Sequence, residues 1–217
     1  MKFFPLFLNL ADKKVLVVGN GPETASRVRQ LLDRDADVVV VAPEKPPELQ
    51  PFVEEGKVEF RRRDFLEEDL EDCWLVFCTA RDETTAGRVI RAAAARRIFC
   101  HVTDGTEGCT CILPAVVRRR ELQIALSSSG KSPALIRTLK RKIEAAVGEE
   151  YGLLNDLLGE LRPVIKRSLP SYARRKRVYY GLIDNEILHL LRRGELRRAR
   201  EALLKKLQAI LNGPPVR

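Results

Sequence analysis

No apolar run in this 217-residue sequence approaches the ~20 residues that cross a bilayer as a helix, so no membrane association is expected. The opening "MKFFPLFLNL" imitates a short export signal. Pro5 interrupts it, however, "ADKK" follows it, and a small-residue cleavage site is missing. It reads as the leading edge segment of a cytoplasmic protein. Cysteine is scarce and odd in number: Cys73, Cys78, Cys100, Cys109 and Cys111. Without an export signal these are expected as reduced thiols, not as a disulfide framework. Cys109-Thr110-Cys111, with Cys100-His101 nearby in sequence, lacks the ligand set and spacing of a zinc site, so no metal site is expected. His189, among Leu188, Leu190 and Leu191, is expected to pack and not to ligate. Internal repeats and low-complexity tracts are also missing.

What the chain has in excess is positive charge, unevenly placed. The net charge is +9, and between Arg162 and Lys206 fourteen Lys/Arg face only four acids, Asp184, Glu186, Glu195 and Glu201. The remainder is therefore nearly neutral. A neutral body with a basic tail suggests an anionic partner or substrate, although part of such a tail is simply a solvated helical surface. Hydrophobic residues make up 45%, enough for a packed core.

The first half alternates between β-branched runs and amphipathic stretches. Strands are predicted at Val15–Val18, Val38–Val41, Val58–Arg62, Trp74–Cys78 and Ile98–Val102, with helices over Pro22–Arg34 and Thr84–Arg97. Strand and helix in alternation give a parallel sheet with helices on its faces, and its strands should be continuously apolar, as "VVVVA" is. After Thr110 the rhythm changes. "CILPAVVRR" and "ELQIAL" read as two further strands, and Ser132-Pro133 starts a helix reaching about Val147, with serine as cap and proline in the first turn. From Glu149 onward the pattern is helical, with breaks expected at Pro163, Pro170 and Gly194. The fold class is thus α/β: a Rossmann-type parallel-sheet domain over residues 1–113, a small β–β–α segment over 114–147, and a C-terminal helical module over 148–217.

Gly19-Asn20-Gly21 sits between the first strand and the first helix, the context in which a glycine-rich turn binds a dinucleotide. Gly19 permits the tight turn, Gly21 lets the backbone approach a pyrophosphate, and Pro22 fits the first helical turn. The third small position is Thr24, which should set helix and strand slightly further apart. At the end of the second strand, Glu44 offers a carboxylate to ribose hydroxyls and would favour NAD, whereas Lys45 beside it would neutralise a 2′-phosphate. The choice between NAD and NADP stays open at this point. Ligands of an open parallel sheet collect outside the carboxyl ends of its strands, which here also present Thr79-Ala80 and Thr103-Asp104. Asp104 at that rim would take a proton as hydride leaves; a turn-forming Asp before Gly105 explains it equally well.

"PLF", "VLVVGNG", "VVAPE", "DCWLVFCTARD", "RRIFCHVTD", "ILP" and "LQIALSSSGKSP" occur in this order, and together they resemble the precorrin-2 dehydrogenase and sirohydrochlorin ferrochelatase family, the N-terminal part of siroheme synthase. The resemblance covers roughly residues 3 to 145. It implies NAD-dependent oxidation of precorrin-2 to sirohydrochlorin, followed in some members by Fe²⁺ insertion. It also implies a homodimer built through the middle segment, with the helical remainder as a tetrapyrrole-binding module. Asp104 matches the family's catalytic aspartate, and Pro22, Glu23, Pro43 and Glu44 match its cofactor contacts beside Gly19, Asn20 and Gly21; Thr79 and Ala80 complete that set by position. Ser128 matches a serine that is phosphorylated in some members. The chain departs from the family at Asn20, Thr24, Thr79-Ala80-Arg81-Asp82 and His101. A polycarboxylate tetrapyrrole would pair with basic side chains, with Arg118, Arg119, Arg120, Lys131 and the run Arg174-Arg175-Lys176-Arg177 as candidates, and with the helix start at Ser132.

Two rival classes share features with this sequence. Ala125–Ser132 follows a relaxed phosphate-loop pattern, but its first glycine is missing, Pro133 follows at once, and no later strand supplies an acid for Mg²⁺. A nucleotide-sensing domain with a nucleic-acid-binding tail would use the basic helices. It lacks a recognisable recognition helix and has no use for Asp104. No nucleic acid is expected as a partner.

Overall fold

In a computed structural model, which describes residues 3–103 and 107–212, the β-branched runs pair into one parallel sheet. Its strands are β1 (Lys14–Val18), β2 (Asp37–Ala42), β3 (Val58–Arg62), β4 (Leu75–Cys78) and β5 (Phe99–Val102), in the order β3-β2-β1-β4-β5. β1 lies at the centre, with Val17 opposite Val40 on one side and Phe77 on the other. Alternate side chains of a strand face opposite ways, so the sheet feeds two cores. On one face Val15, Val17, Val38 and Val40 pack against Ala25, Val28 and Leu31 of α1 (Thr24–Leu32). On the other, Leu16, Val18, Val39, Val41 and Val76 pack against Val89, Ala92 and Ala93 of α3 (Glu83–Arg96). Each valine or leucine so removed from water contributes roughly 1.5–3 kcal/mol, and each alanine less. Between β2 and β3 the chain makes a 3-10 turn (Pro47–Leu49) and a short α2 (Gln50–Glu54), which the sequence pattern did not single out.

The chain divides into two compact units, Met1–Leu113 and Pro114–Arg217. The second begins with an antiparallel hairpin, β6 (Ala115–Arg119) and β7 (Leu122–Leu126), in which Val117 faces Ile124. It continues as α4 (Pro133–Ala146), α5 (Glu149–Ser168), α6 (Tyr172–Leu182), α7 (Asn185–Arg192) and α8 (Leu196–Asn212). α5 approaches β6 at Gly152, where a Cβ would come within 2.5 Å of the Arg119 carbonyl oxygen. Leu154, Leu157 and Ile165 of α5, Val178 and Leu182 of α6, Leu188 and Leu191 of α7, and Leu203 and Leu207 of α8 form its core. Within that core Glu150, buried at the start of α5, is neutralised by Arg192 of α7 at 2.7 Å.

Three expectations need correction. Pro163 does not break the helix: α5 runs through it to Ser168. Pro163 and Gly159 are both exposed, so the carbonyl that proline leaves without an N–H partner faces water, which offsets the lost bond. Pro170 and Gly194 do end helices, the latter with φ at +74°. His189 is exposed, because the helical period turns Ile187, Leu188 and Leu191 inward and leaves position 189 outside. The strand expected from Cys111 starts only at Ala115.

Candidate functional site

The chemistry of the first unit gathers where β1 gives way to α1. Gly19 has φ +108°, a conformation open to glycine. A Cβ there would sit 2.4 Å from the Ala80 nitrogen, and one at Gly21 would sit 2.3 Å from the Thr79 carbonyl oxygen. Both glycines are therefore required by the end of β4, which crowds the turn from behind, before any ligand is considered. Thr24, the oversized third position, is fully buried, and its hydroxyl is used: it donates to the Gly19 carbonyl at 3.2 Å and lies 2.7 Å from the Thr79 hydroxyl. Thr79 in turn reaches the Val18 carbonyl at 3.2 Å. The threonine hydroxyl thus joins α1, β1 and β4 through hydrogen bonds.

In front of the turn the situation is reversed. The amides of Asn20, Gly21 and Glu23 have no acceptor among the described residues, whereas Gly19 donates to Val41 at 2.9 Å and Thr24 to Gly21 at 3.0 Å. Unsatisfied N–H groups at a glycine turn, continued by the positive end of a helix dipole, form an anion site. A cleft of about 600 Å³ opens there, lined by Val18, Gly19, Asn20, Gly21, Pro22, Val41, Pro43, Ala80 and the residues discussed next. That volume is in the range of small-molecule sites. A second hollow of about 220 Å³ shares Asn20, Gly21 and Pro22 and is walled by Ala25 and Glu44–Glu48.

Of the residues predicted for the cofactor, Gly19, Asn20, Gly21, Pro22, Pro43 and Ala80 line the larger cleft and Glu44 the smaller. Thr79 stands buried behind the turn, and Glu23 accepts a hydrogen bond from the Thr103 hydroxyl at 3.4 Å. Asp104 lies outside the described residues. The larger cleft also has a wall that sequence reasoning missed: Asp64 and Phe65 after β3, and Arg81, Asp82 and Thr85 after β4. The rule that ligands gather at carboxyl ends applied to β3 as well, and would have flagged Asp64.

That wall is built rigidly. Asp69, 1% exposed, takes Arg61 at 2.7 Å, Arg63 through two contacts of 2.6 and 2.7 Å, and the Leu66 amide at 2.9 Å. Burial opposes its ionisation most strongly, but Arg63, the Leu66 amide and Arg61 outweigh burial and hold the carboxyl at about 2. On the other side Asp82 caps α3 by accepting from the Thr85 amide at 2.7 Å, so its charge is already committed. Burial disfavours the thiolate form at Cys73, Cys78, Cys100 and Cys111. Burial pushes Cys100 up to about 12 and Cys111 up to about 11, and no group of three or more metal-ligating side chains occurs among the described residues.

In the second unit the predicted substrate contacts are largely engaged within the unit itself. Arg119 donates to the Val147 carbonyl at 2.8 Å and the Glu144 carbonyl at 3.0 Å, tying β6 to the end of α4. Arg120 pairs with Asp156, and Arg118 bonds the Arg120 carbonyl at 2.9 Å. Ser128 accepts from the Ser132 amide at 3.0 Å, and Ser132 accepts from the Leu135 amide at 3.2 Å. Two of the amides at this helix start are thus taken up by its own serines. Lys131 is exposed, and Arg175 caps the end of α5 through the Leu169 and Pro170 carbonyls.

Residues 6–115 match the model of a family described as putative NAD(P)-binding, residues 119–146 the sirohaem biosynthesis protein central region, and residues 150–207 the sirohaem synthase dimerisation region. The dimerisation description thus falls on the helical tail, C-terminal to the 114–147 segment. Among curated relatives, siroheme synthase 1 of Aeromonas hydrophila is 36% identical over 208 residues, covering 95% of this chain and 45% of that protein. Siroheme synthase of Pseudomonas paraeruginosa is 35% identical over 207 residues, covering 95% and 44% respectively. The chain therefore spans less than half the length of these relatives. A solved structure, a precorrin-2 dehydrogenase called SirC, has the same fold, with a TM-score of 0.77 over 95% of this chain and 99% of that one at 23% identity.

Proposed function

Starting from a chain that belongs to the putative NAD(P)-binding family, we propose that it oxidises precorrin-2 to sirohydrochlorin, with NAD⁺ taking the hydride, as a step toward siroheme. The observation that carries this reading is the pair of Asn20 and Gly21 amides, without an acceptor among the described residues, in a turn that lines a cleft of about 600 Å³. Those groups fit a dinucleotide diphosphate: the amides and the α1 dipole supply the partial positive charge that a diphosphate needs. Asn20, Gly21 and Glu23 would hold it, with Pro43, Asp64 and Phe65 on the adenosine side. Bound there, the cofactor supplies the redox chemistry, and the protein supplies position and exclusion of water.

Glu44 favours NAD⁺ over NADP⁺, since a carboxylate repels a 2′-phosphate; Glu48 joins it in the same hollow, where the two acids outnumber Lys45. Asp104 is assigned the proton released as hydride departs, as the family resemblance implies. The chain works as a cytoplasmic homodimer joined through its second unit, where α4 buries none of its residues and leaves Leu135 and Leu139 exposed. Insertion of Fe²⁺ into the product is the second activity to assay. Anaerobic incubation with precorrin-2 and NAD⁺, followed by Fe²⁺, with the absorption spectrum read at each stage, tests both. NADH formation is expected in the first stage, and its absence overturns the reading. Asp104→Ala should bind NAD⁺ with unchanged affinity yet lose turnover by about 100-fold or more, the scale of a general-base contribution. Turnover at the parental rate would remove that role from Asp104.

A further inference from the structure

On the α1 side of the sheet, a half-buried cation, Arg27, has no carboxylate within ion-pair distance among the described residues. Glu23 and Arg27 lie four residues apart at the start of α1, and His101 and Thr103 lie two apart on β5, so each pair shares a face. The Arg27 guanidinium stands over the Phe77 ring of β4, 4.9 Å from its centroid, and the His101 ring meets Phe77 edge-on at 5.8 Å. The Thr103 hydroxyl bonds Glu23 at 3.4 Å, and His101 Nδ1 lies 3.4 Å from the Cys111 carbonyl oxygen. This places the group beside the β5 carboxyl end.

Arg27 is half-buried, and burial, countered only in part by the more distant Glu23 charge, lowers its hold on the proton. Among the described residues its only hydrogen bond runs from Nη1 to Gln30 Oε1 at 2.8 Å, and no carboxylate lies within ion-pair distance. Arginines taken out of water are almost always paired, because an unpaired buried charge is costly. A guanidinium held over an aromatic ring with N–H donors to spare can still take a planar carboxylate through two of them. The surrounding groups narrow the choice of anion. Burial lowers the His101 imidazole's hold on its proton, so it is Arg27 that offers the positive charge here, and one guanidinium matches one singly charged group.

We propose that Arg27, walled by Phe77 and His101, is a subsite for one carboxylate side chain of the substrate, separate from the dinucleotide cleft. The assignment rests on the reading of the protein as an enzyme acting on a polycarboxylate macrocycle. It explains how the macrocycle edge is registered near the β5 end without using the basic tail.

The full chain, as parent, Arg27→Gln and Arg27→Lys, is titrated with a porphyrin bearing free acetate and propionate side chains, with its methyl ester, and separately with NAD⁺. Arg27→Gln should weaken the acid about 10- to 100-fold, the scale of a charge-assisted hydrogen bond, and leave the ester and NAD⁺ within about two-fold. Arg27→Lys keeps the charge and should recover part of the loss, which separates a lost ion contact from a lost fold. Equal weakening of acid and ester, or weakening of NAD⁺, overturns the subsite. If the parent fails to oxidise precorrin-2 while acid binding still depends on Arg27, the dehydrogenase reading falls and the subsite stands. If oxidation proceeds with an unchanged KM in Arg27→Gln, the subsite falls and the dehydrogenase reading stands.

Discussion

The molecule contains two strand–turn–helix junctions with nearly the same punctuation, and they behave in opposite ways. Residues 18–24 read Val-Gly-Asn-Gly-Pro-Glu-Thr, and residues 127–133 read Ser-Ser-Ser-Gly-Lys-Ser-Pro. Each puts glycine in the turn and proline near the helix start. In the first, the Asn20 and Gly21 amides line a cleft and have no acceptor among the described residues; in the second, Ser128 and Ser132 accept from the Ser132 and Leu135 amides. The difference lies in the side chains. Serine hydroxyls can fold back onto their own backbone, and glycine, asparagine and proline here do not. Anion binding at a helix start depends on which amides are left over, not on the presence of a glycine-rich turn.

The largest test of this contrast is Gly21→Ala. Its Cβ would meet the Thr79 carbonyl at 2.3 Å, so the turn must shift, at a cost of about 1–3 kcal/mol in urea unfolding and with loss of NAD⁺ binding. An alanine variant that folds and binds normally would show that the turn adapts without strain. Next in size is acid lability of the cleft wall. Asp69 ionises at about 2 when folded against 3.8 when free, so its contribution is intact above about pH 4 and drains away as the pH falls toward 2. Thermal midpoints of the parent should drop across that window, and Asp69→Asn should lie lower at neutral pH and flatten the profile. Smallest is Ser132→Ala at the second junction, where loss of the cap should cost about 1 kcal/mol and leave NAD⁺ affinity unchanged. If NAD⁺ binding weakens instead, the second junction is not closed to anions.

Much of the fold was legible from periodicity alone. All five parallel strands, the β6–β7 hairpin and α4 stand within a few residues of their expected places, because uninterrupted valine runs and spaced leucines encode burial locally. Pro163 misled because the cost of a proline depends on whether the carbonyl it orphans can reach water, and exposure is not written in the local sequence. His189 misled for a related reason: leucine neighbours say that a helix has a buried side, not which residue faces away from it.

By itself the sequence determined a parallel sheet, a glycine turn after its first strand, and an uneven charge. Only the tertiary structure decided what those features do. Strand order brings Thr79 against Gly21 and Thr24, sets Asp64 and Arg81 into the cleft wall, and leaves Arg27 over Phe77 with no carboxylate in ion-pair distance among the described residues. The physical reason is range. Periodicity and propensity act over a few residues, whereas crowding, desolvation and charge pairing act between strand ends that are distant along the chain and become neighbours only when the sheet closes.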